Sequence, residues 1–202
     1  KKMIADGFTP TIVGEDERLE LGNTTIQIMP HKTGSISDVD SALIVEAIDA
    51  TNRRHCIVNA NDIIFDENAR RQLKKRGKDV DIFLCGYTGA GPYPQTYFDI
   101  DDPQLLVEAG KKKNGFLDRY KSRVNYIDAK VNIPFAGKYV LGGKLVGLNP
   151  FRGVADPVEV LEFDEKAVVL ADNRGEISTG DLVATGTRIE PYSETSIRER
   201  MD

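Results

Sequence analysis

Residues 80–86 read Val80-Asp81-Ile82-Phe83-Leu84-Cys85-Gly86, a short and nearly continuous apolar run. Such a run is typical of a strand that is covered on both faces of a sheet. It directly follows a helical pattern over residues 66–78. A second helical stretch over 102–128 leads to another short apolar run, Val131–Gly137. From Ile57 to Phe135 the chain therefore predicts the order β-α-β-α-β, which is typical of a layered α/β fold.

The part of the chain before this segment is rich in strand patterns. Residues 18–21 and 25–29 alternate between apolar and polar side chains, and Gly22-Asn23, a strong hairpin dipeptide, joins them. Residues 41–47 and 55–59 predict two more strands. The first third of the chain is thus expected to form a sheet.

After Pro150 the sequence predicts a short helix near 156–161 and a strand over 167–171. We expect one domain of class α/β (α+β) over residues 1–202, with residues 185–202 as a frayed tail. The first residue is a lysine and a strand-like stretch follows almost at once. We therefore expect the chain to begin inside a longer protein.

Composition limits the classes of function. The 202 residues include 40% hydrophobic and 29% charged residues, which suffices for a buried core. The net charge of −5 argues against nucleic-acid binding, which relies on clustered cations. Cys56 and Cys85 lie in apolar runs, so we expect buried, reduced thiols and a cytoplasmic protein. No apolar run reaches the roughly 20 residues of a membrane span.

His31 stands at the end of a predicted strand and is followed by Asp38 and Asp40. These side chains can supply nitrogen and oxygen ligands to a divalent metal. The alternative is a turn in which the two aspartates accept hydrogen bonds from backbone amides.

Asp62 closes an apolar strand over residues 57–62, just before a helix. There it can bind a metal or act as a base, while Asn61 donates a hydrogen bond. The alternative is that Asp62 caps the helix at the junction between strand and helix.

The loop over residues 86–94 contains three glycines and two prolines and presents Tyr87 and Tyr93, with Tyr97 shortly after it. It lacks the Gly-Lys-Ser/Thr ending of a phosphate-binding P-loop. It is interpreted as a rigid lip over a substrate pocket, with a purely structural loop as the alternative.

Several of these segments together resemble a known family. They are Pro-His-x-x-Gly-Ser with Asp-Val-Asp-Ser-Ala-Leu, the strand that ends in Asn61-Asp62, Gly-Tyr-Thr-Gly-Ala-Gly-x-Tyr-Pro from Gly86, and Ile-Pro-Phe-Ala-Gly-Lys-Tyr-Val-Leu-Gly-Gly from Ile133. Over residues 10–150 the chain resembles the latter part of a metallo-β-lactamase-fold protein. The branch it resembles contains CMP-N-acetylneuraminate hydroxylase, N-acyl-phosphatidylethanolamine phospholipase D and the ascorbate-6-phosphate lactonases.

The resemblance implies a four-layer αββα sandwich, incomplete because its N-terminal part is missing. It implies that Asp62 is the acidic metal ligand and that His31 lies near another ligand position. The family's His-x-His-x-Asp-His run would lie upstream of Lys1. Ala136 stands where the family has a late histidine, and the chain has only two histidines. A complete dinuclear site therefore cannot be built from this chain alone.

These observations lead to one expected function and one alternative. We expect a metal-dependent hydrolase that acts on a phosphorylated, nucleotide-linked or sugar-like small molecule. Asp62 would be catalytic and, with His31, a metal ligand; substrate contacts would come from Asn61, Tyr87, Tyr93 and Tyr97. The metal would be zinc, or manganese or iron, in the full-length protein, and the chain alone need not bind one. A homo-oligomer is compatible with this sequence. The alternative is a catalytically inactive binding domain that kept the fold but lost metal ligands.

Overall fold

The computed structural model describes residues 5–9, 13–14, 17–30, 40–63, 66–75, 80–135, 137–171 and 174–193. Its elements confirm the mixed α/β class. The strands are β1 (Arg18–Leu21), β2 (Thr24–Pro30), β3 (Ser41–Ile48), β4 (Arg54–Asn59), β5 (Ile82–Gly86), β6 (Val131–Phe135), β7 (Glu176–Ile177) and β8 (Ala184–Thr185). The helices are α1 (Glu67–Lys75) and α2 (Pro103–Ile127), and 3₁₀ segments span Gly143–Phe151 and Pro157–Glu162.

Strands β1 to β6 form one sheet in chain order. The pairs β1–β2, β2–β3 and β3–β4 are antiparallel, whereas β4–β5 and β5–β6 are parallel. Parallel neighbours need a crossover connection, and α1 and α2 supply the two crossovers. The predicted β-α-β-α-β order is therefore confirmed.

One edge of this sheet, here called the carboxyl edge, is where β4, β5 and β6 end. The register pairs Leu43 with Asn59 and Pro30 with Ser41. The end of β2 and the start of β3 therefore lie at the same edge. Ligands commonly bind beyond the carboxyl ends of strands in layered α/β folds.

Both helices begin at aspartate caps. Asp66 Oδ1 accepts a 2.7 Å hydrogen bond from the Ala69 N–H, and Asp102 Oδ1 accepts one of 2.8 Å from the Gln104 N–H. Side-chain oxygens at this position satisfy backbone donors that the first helical turn leaves free. Helix α2 ends where Asp128 adopts a left-handed conformation with φ 55°.

The helices cover one face of the sheet and form the main core. Met29, Ile44, Val58 and Phe83 point from the strands into this core, and Tyr120 of α2 meets them there. Cys56 and Cys85 are buried in the same core as free thiols, as predicted. Among the described residues, no helix is long and apolar enough to cross a membrane.

The opposite face of the sheet is covered only in part. Ile177 of β7, Leu182 and the segment before β7 pack on β5 and β6, around Ile82, Val131 and Ile133. On β1 and β3 the apolar side chains of Leu21 and Leu43 stay 55% and 38% exposed. The described residues thus form one main sheet, with helices on one face and partly exposed apolar side chains on the other.

The C-terminal part differs in detail from the sequence prediction. The expected strand over 167–171 is wrong as a continuous strand, because Ala167 and Leu170 make only isolated bridges, to Asn132 and Thr187. The expected short helix is a 3₁₀ segment with a capping box at Asp156. Part of the predicted tail makes specific bonds, such as Arg188 N–H to Val169 O at 2.8 Å. Residues 194–202 lie outside the described residues.

Candidate functional site

A tight turn follows β4 at the carboxyl edge. Asn59 Oδ1 accepts a 2.9 Å hydrogen bond from the Asn61 N–H, and the Ala60 N–H donates to Leu84 O of β5 at 2.9 Å. Asn61 has φ 44°, a left-handed conformation that asparagine tolerates better than most residues. The Ile63 N–H closes the turn onto Ala60 O at 3.1 Å. The backbone that carries Asn61 and Asp62 is thus fixed by both side-chain and backbone bonds.

Asp62 is exposed in this turn. It makes no hydrogen bond or ion pair with any other residue in the described part of the chain. Because Asp66 caps α1, the alternative that Asp62 is the helix cap is wrong. Asp62 is therefore a carboxylate at the carboxyl edge that no described partner occupies.

Arg123 and Cys85 lie behind the turn. Arg123 Nη2 donates to Ile63 O at 3.3 Å and so connects α2 to the turn. Burial raises the pKa of Cys85 to about 11, although Arg123 opposes this shift. The Cys85 thiol is therefore protonated at neutral pH, whereas a nucleophile or metal ligand needs the thiolate.

The loop that begins at Gly86 follows β5 at the same edge. Its backbone passes close to the turn after β4, since a Cβ added at Gly86 would lie 3.8 Å from Asn61 O. Gly89 packs on Phe116 of α2, and an added Cβ there would lie 2.0 Å from the ring. Glycine is therefore required at position 89 for this packing.

The three tyrosines proposed as substrate contacts lie in different environments. Tyr87 is 1% exposed and packs in the main core. Tyr93 donates from its hydroxyl to Glu108 Oε2 at 2.6 Å, and this hydrogen bond raises the Tyr93 pKa. Tyr97 is 67% exposed and meets Tyr93 edge-to-face, with ring centroids 5.4 Å apart. Only Tyr93 and Tyr97 present their rings at the surface.

The described residues include only part of the predicted set of metal ligands. His31 and Asp38 lie outside the described residues, although Pro30, which precedes His31 in sequence, ends β2 at the carboxyl edge. His55 is buried at the opposite end of β4, where Nε2 lies 2.9 Å from Asp49 Oδ2. Within the described ranges, no three His, Cys, Asp or Glu side chains are grouped to hold a metal ion. The described residues alone do not fit a metal site.

A second group of polar residues was not predicted from the sequence. Arg152, Tyr139, Gln95 and Lys112 meet beside the loop that begins at Gly86. They come from four separate segments, and no sequence motif places the four together. Only the tertiary structure assembles them.

No protein-family model matches the chain, and no curated protein matches it. The solved structures that it resembles include YhfI from Bacillus subtilis, described as a metallo-β-lactamase fold protein. That similarity has 13% identity and a TM-score of 0.32, and it covers 63% of this chain and 44% of YhfI.

A variant of the CmlA β-hydroxylase is 14% identical, with a TM-score of 0.44 over 82% of this chain and 33% of that one. CmlA from Streptomyces venezuelae, described as a diiron β-hydroxylase, is 12% identical, with a TM-score of 0.40 over 79% of this chain and 29% of that one. The chain thus spans less than half the length of each of these proteins.

Proposed function

We propose that this chain is part of a metal-dependent hydrolase of the metallo-β-lactamase fold, which acts on a phosphorylated, nucleotide-linked or sugar-like small molecule. In this proposal the carboxyl edge is one wall of the active site. Asp62 and His31 are metal ligands, and Asp62 is catalytic. Asn61, Tyr93 and Tyr97 contact the substrate, while Tyr87 supports the loop from the core side.

The observation that carries the proposal is the state of Asp62. A carboxylate at the carboxyl edge, held on a rigid turn and left without a described partner, has the chemistry of an oxygen ligand or a general base. The helix-capping role that would explain it otherwise belongs to Asp66. The sequence resemblance supports the same assignment, since it places the family's acidic ligand at this strand end.

The metal site itself requires ligands beyond the described residues. The resemblance assigns them to His31 and to a His-x-His-x-Asp-His run outside this sequence. A metal bound there would supply an activated water for hydrolysis. The residues seen at the carboxyl edge would hold the substrate against the turn and the loop. Asn61 is exposed and offers an amide donor there.

One specific observation favours the alternative, a binding domain without catalysis. Ala136 occupies the position at which the resemblance expects a ligand histidine, and alanine has no donor atom. A protein that lost this ligand could keep the fold and bind a small molecule at the same edge.

Two aspartate variants of the full-length protein separate these functions. Asp62→Asn removes a charge at the carboxyl edge, and Asp66→Asn is the matched control because asparagine caps a helix about as well as aspartate. We expect Asp62→Asn to lower Mn²⁺ or Zn²⁺ affinity and hydrolysis of a chromogenic phosphodiester by at least about 100-fold, since even second-shell changes cost 10–100-fold. Asp66→Asn should leave both unchanged. Equal metal affinity and turnover in wild type and Asp62→Asn would refute the role of Asp62, and no metal-dependent turnover in the wild type would favour the binding domain.

A further inference from the structure

Two cations meet where the 3₁₀ segment at Gly143–Phe151 returns to helix α2. Gly153 has φ 61°, and a Cβ added there would lie 2.6 Å from Ala109 O and 3.0 Å from Lys112 Cβ. The backbone after Arg152 therefore packs directly on α2. This close approach brings Arg152 beside Lys112, and the charge of Arg152 acts on the Lys112 ammonium.

Arg152 is buried, with 6% exposure, and only part of its guanidinium is satisfied. Its Nε donates to Asn149 O at 2.7 Å, and its guanidinium carbon lies 5.3 Å from the centroid of the Tyr139 ring. Its Nη1 is buried and has no hydrogen-bond partner in the part of the chain that the structure describes. A buried cation normally has a counter-charge and filled donor positions, because desolvation without them is costly.

No carboxylate among the described residues pairs with either cation. Lys112 Nζ donates to Tyr93 O at 2.8 Å, a neutral carbonyl. The neighbouring acids are already engaged: Glu108 with Lys111 at 2.6 Å and Glu159 with Lys113 at 2.7 Å. Burial and the charge of Arg152 lower the pKa of Lys112, and burial also lowers that of Arg152. Both lowered pKa values agree with two positive charges that have no negative charge beside them among the described residues.

The loop that begins at Gly86 is tied to the same place. Gln95, which is 3% exposed, donates from Nε2 to Gly91 O at 2.7 Å and to the Tyr139 hydroxyl at 3.2 Å. Its Oε1 is buried and accepts no hydrogen bond from any described residue. Tyr139 therefore lies between Gln95, which its hydroxyl contacts, and Arg152, whose guanidinium lies over its ring.

We propose that Arg152 and Lys112 bind the phosphate group of a small molecule beside the loop that begins at Gly86. The guanidinium fork matches the oxygens of a phosphate, and two cations match its charge of about −1.5 to −2 near neutral pH. The unpartnered Gln95 acceptor suits a hydroxyl of the phosphate or of the group that carries it. This phosphate site includes neither Asp62 nor His31. The proposal therefore does not depend on the proposed metal chemistry.

The test is calorimetric titration of the 202-residue chain with inorganic phosphate, at an ionic strength held constant with NaCl. The variants are Arg152→Gln and Lys112→Gln, with Lys111→Gln as the matched control because its ammonium is exposed and paired with Glu108. We expect saturable binding that falls at least about tenfold in Arg152→Gln and about fivefold in Lys112→Gln, since charge-assisted hydrogen bonds have this strength. Lys111→Gln should bind within about twofold of the wild type.

Glycerol 3-phosphate and acetate are titrated in parallel. Tighter binding of glycerol 3-phosphate than of inorganic phosphate would identify an ester as the ligand, and equal binding would identify the free ion; both support the site. Acetate binding as tight as phosphate binding would overturn the phosphate assignment. The site itself would be overturned by no saturable phosphate binding in the wild type, or by an equal loss in all three variants. If Arg152→Gln does not fold, a phosphate affinity of Lys112→Gln equal to that of the wild type would also overturn the site.

Discussion

Asp66 caps helix α1, and Asp62, four residues earlier, does not. The Oδ1 atom of Asp66 accepts a 2.7 Å hydrogen bond from the Ala69 N–H, whereas Asp62 has no partner among the described residues. Two aspartates of one connection thus have different roles. One stabilises the helix, and the other is exposed at the carboxyl edge without a described partner.

This difference predicts unequal losses of stability when each aspartate is replaced by alanine. Asp66→Ala should lower the free energy of unfolding by about 1 kcal/mol, because it leaves a helical N–H without its acceptor. Asp62→Ala should change it by less than about 0.5 kcal/mol, as expected for an exposed residue without partners. Urea denaturation of both variants, with Asp66→Asn as a near-silent control, measures this. A larger loss for Asp62→Ala than for Asp66→Ala would contradict the assignment of the cap.

Asp81 gives the stability of the chain a dependence on pH. Burial would raise the pKa of this carboxyl, but the hydrogen bonds from Lys130 Nζ and the Cys56 N–H, each 2.7 Å, and the charge of Lys130 lower it below its usual range. The folded pKa therefore lies below the unfolded value of about 3.9. The stabilisation is complete above that pH and is lost as the pH falls toward the folded pKa.

We therefore expect Asp81→Asn to lower the free energy of unfolding by about 2 kcal/mol at pH 7, the scale of hydrogen bonds to a buried charge. The difference from the wild type should shrink as the pH falls below about 4, because the carboxyl of the unfolded chain then binds a proton that the folded carboxylate does not yet bind. Lys130→Met should have a smaller effect, because the Lys130 side chain is 47% exposed. Denaturation curves at several pH values test this, and a difference that grows on acidification would refute it.

The two thiols should react only when the protein opens. Cys56 is 3% exposed and Cys85 is fully buried, and burial raises the Cys85 pKa to about 11. The thiolate form of a cysteine attacks a disulfide reagent. Both burial and the raised pKa therefore slow the reaction of Cys85 with such a reagent. The native protein at pH 8 should therefore react slowly, and the unfolded protein should show two free thiols. A native reaction as fast as the unfolded one would place a cysteine at the surface.

Two glycines near helix α2 should respond in opposite ways to alanine. A Cβ at Gly89 would lie 2.0 Å from the Phe116 ring, which Arg119 covers with its guanidinium 4.0 Å from the ring centroid. Gly89→Ala should therefore cost about 2 kcal/mol of stability, as overpacking does. Gly110 lies inside α2 with no atom near an added Cβ, so Gly110→Ala should stabilise by up to about 1 kcal/mol.

Thermal melts of the two single variants measure these effects. A double variant, Gly89→Ala with Phe116→Ala, should recover much of the loss attributed to the clash, because the ring is then absent. Additive losses in the double variant would show that Gly89 is required for another reason.

Sequence patterns predicted strands correctly where consecutive residues are buried on both faces of the sheet. Residues 82–86 and 131–135 are covered on both faces, so their apolar runs predicted β5 and β6 within two residues of their ends. The strand over 167–171 has a similar composition but pairs only at Ala167 and Leu170. Composition cannot reveal how many backbone partners a segment will find.

The residues of the candidate sites could be predicted only where they are neighbours in the sequence. Asp62 and Asn61 belong to one turn, so the strand-helix boundary revealed them. Arg152 and Lys112 are brought together by the close packing of Gly153 on α2, and no sequence pattern indicates that contact. Tyr87 has the same residue type as Tyr93 and Tyr97, but its side chain fills the core. Side-chain direction in an irregular loop does not follow from periodicity.

The last prediction is that the 202-residue chain by itself holds no tightly bound stoichiometric zinc. A tight zinc site uses about four protein ligands, and the chain has two histidines and two cysteines. His55 is engaged with Asp49 at the far end of β4, and both thiols are buried in the core. Asp62 and His31 would then be too few to hold zinc against a competitor. Elemental analysis after dialysis against a weak chelator should find less than a tenth of an equivalent, roughly the background of adventitious binding. One full equivalent would show that the ligand set of this chain is complete, with ligands beyond Asp62 and His31.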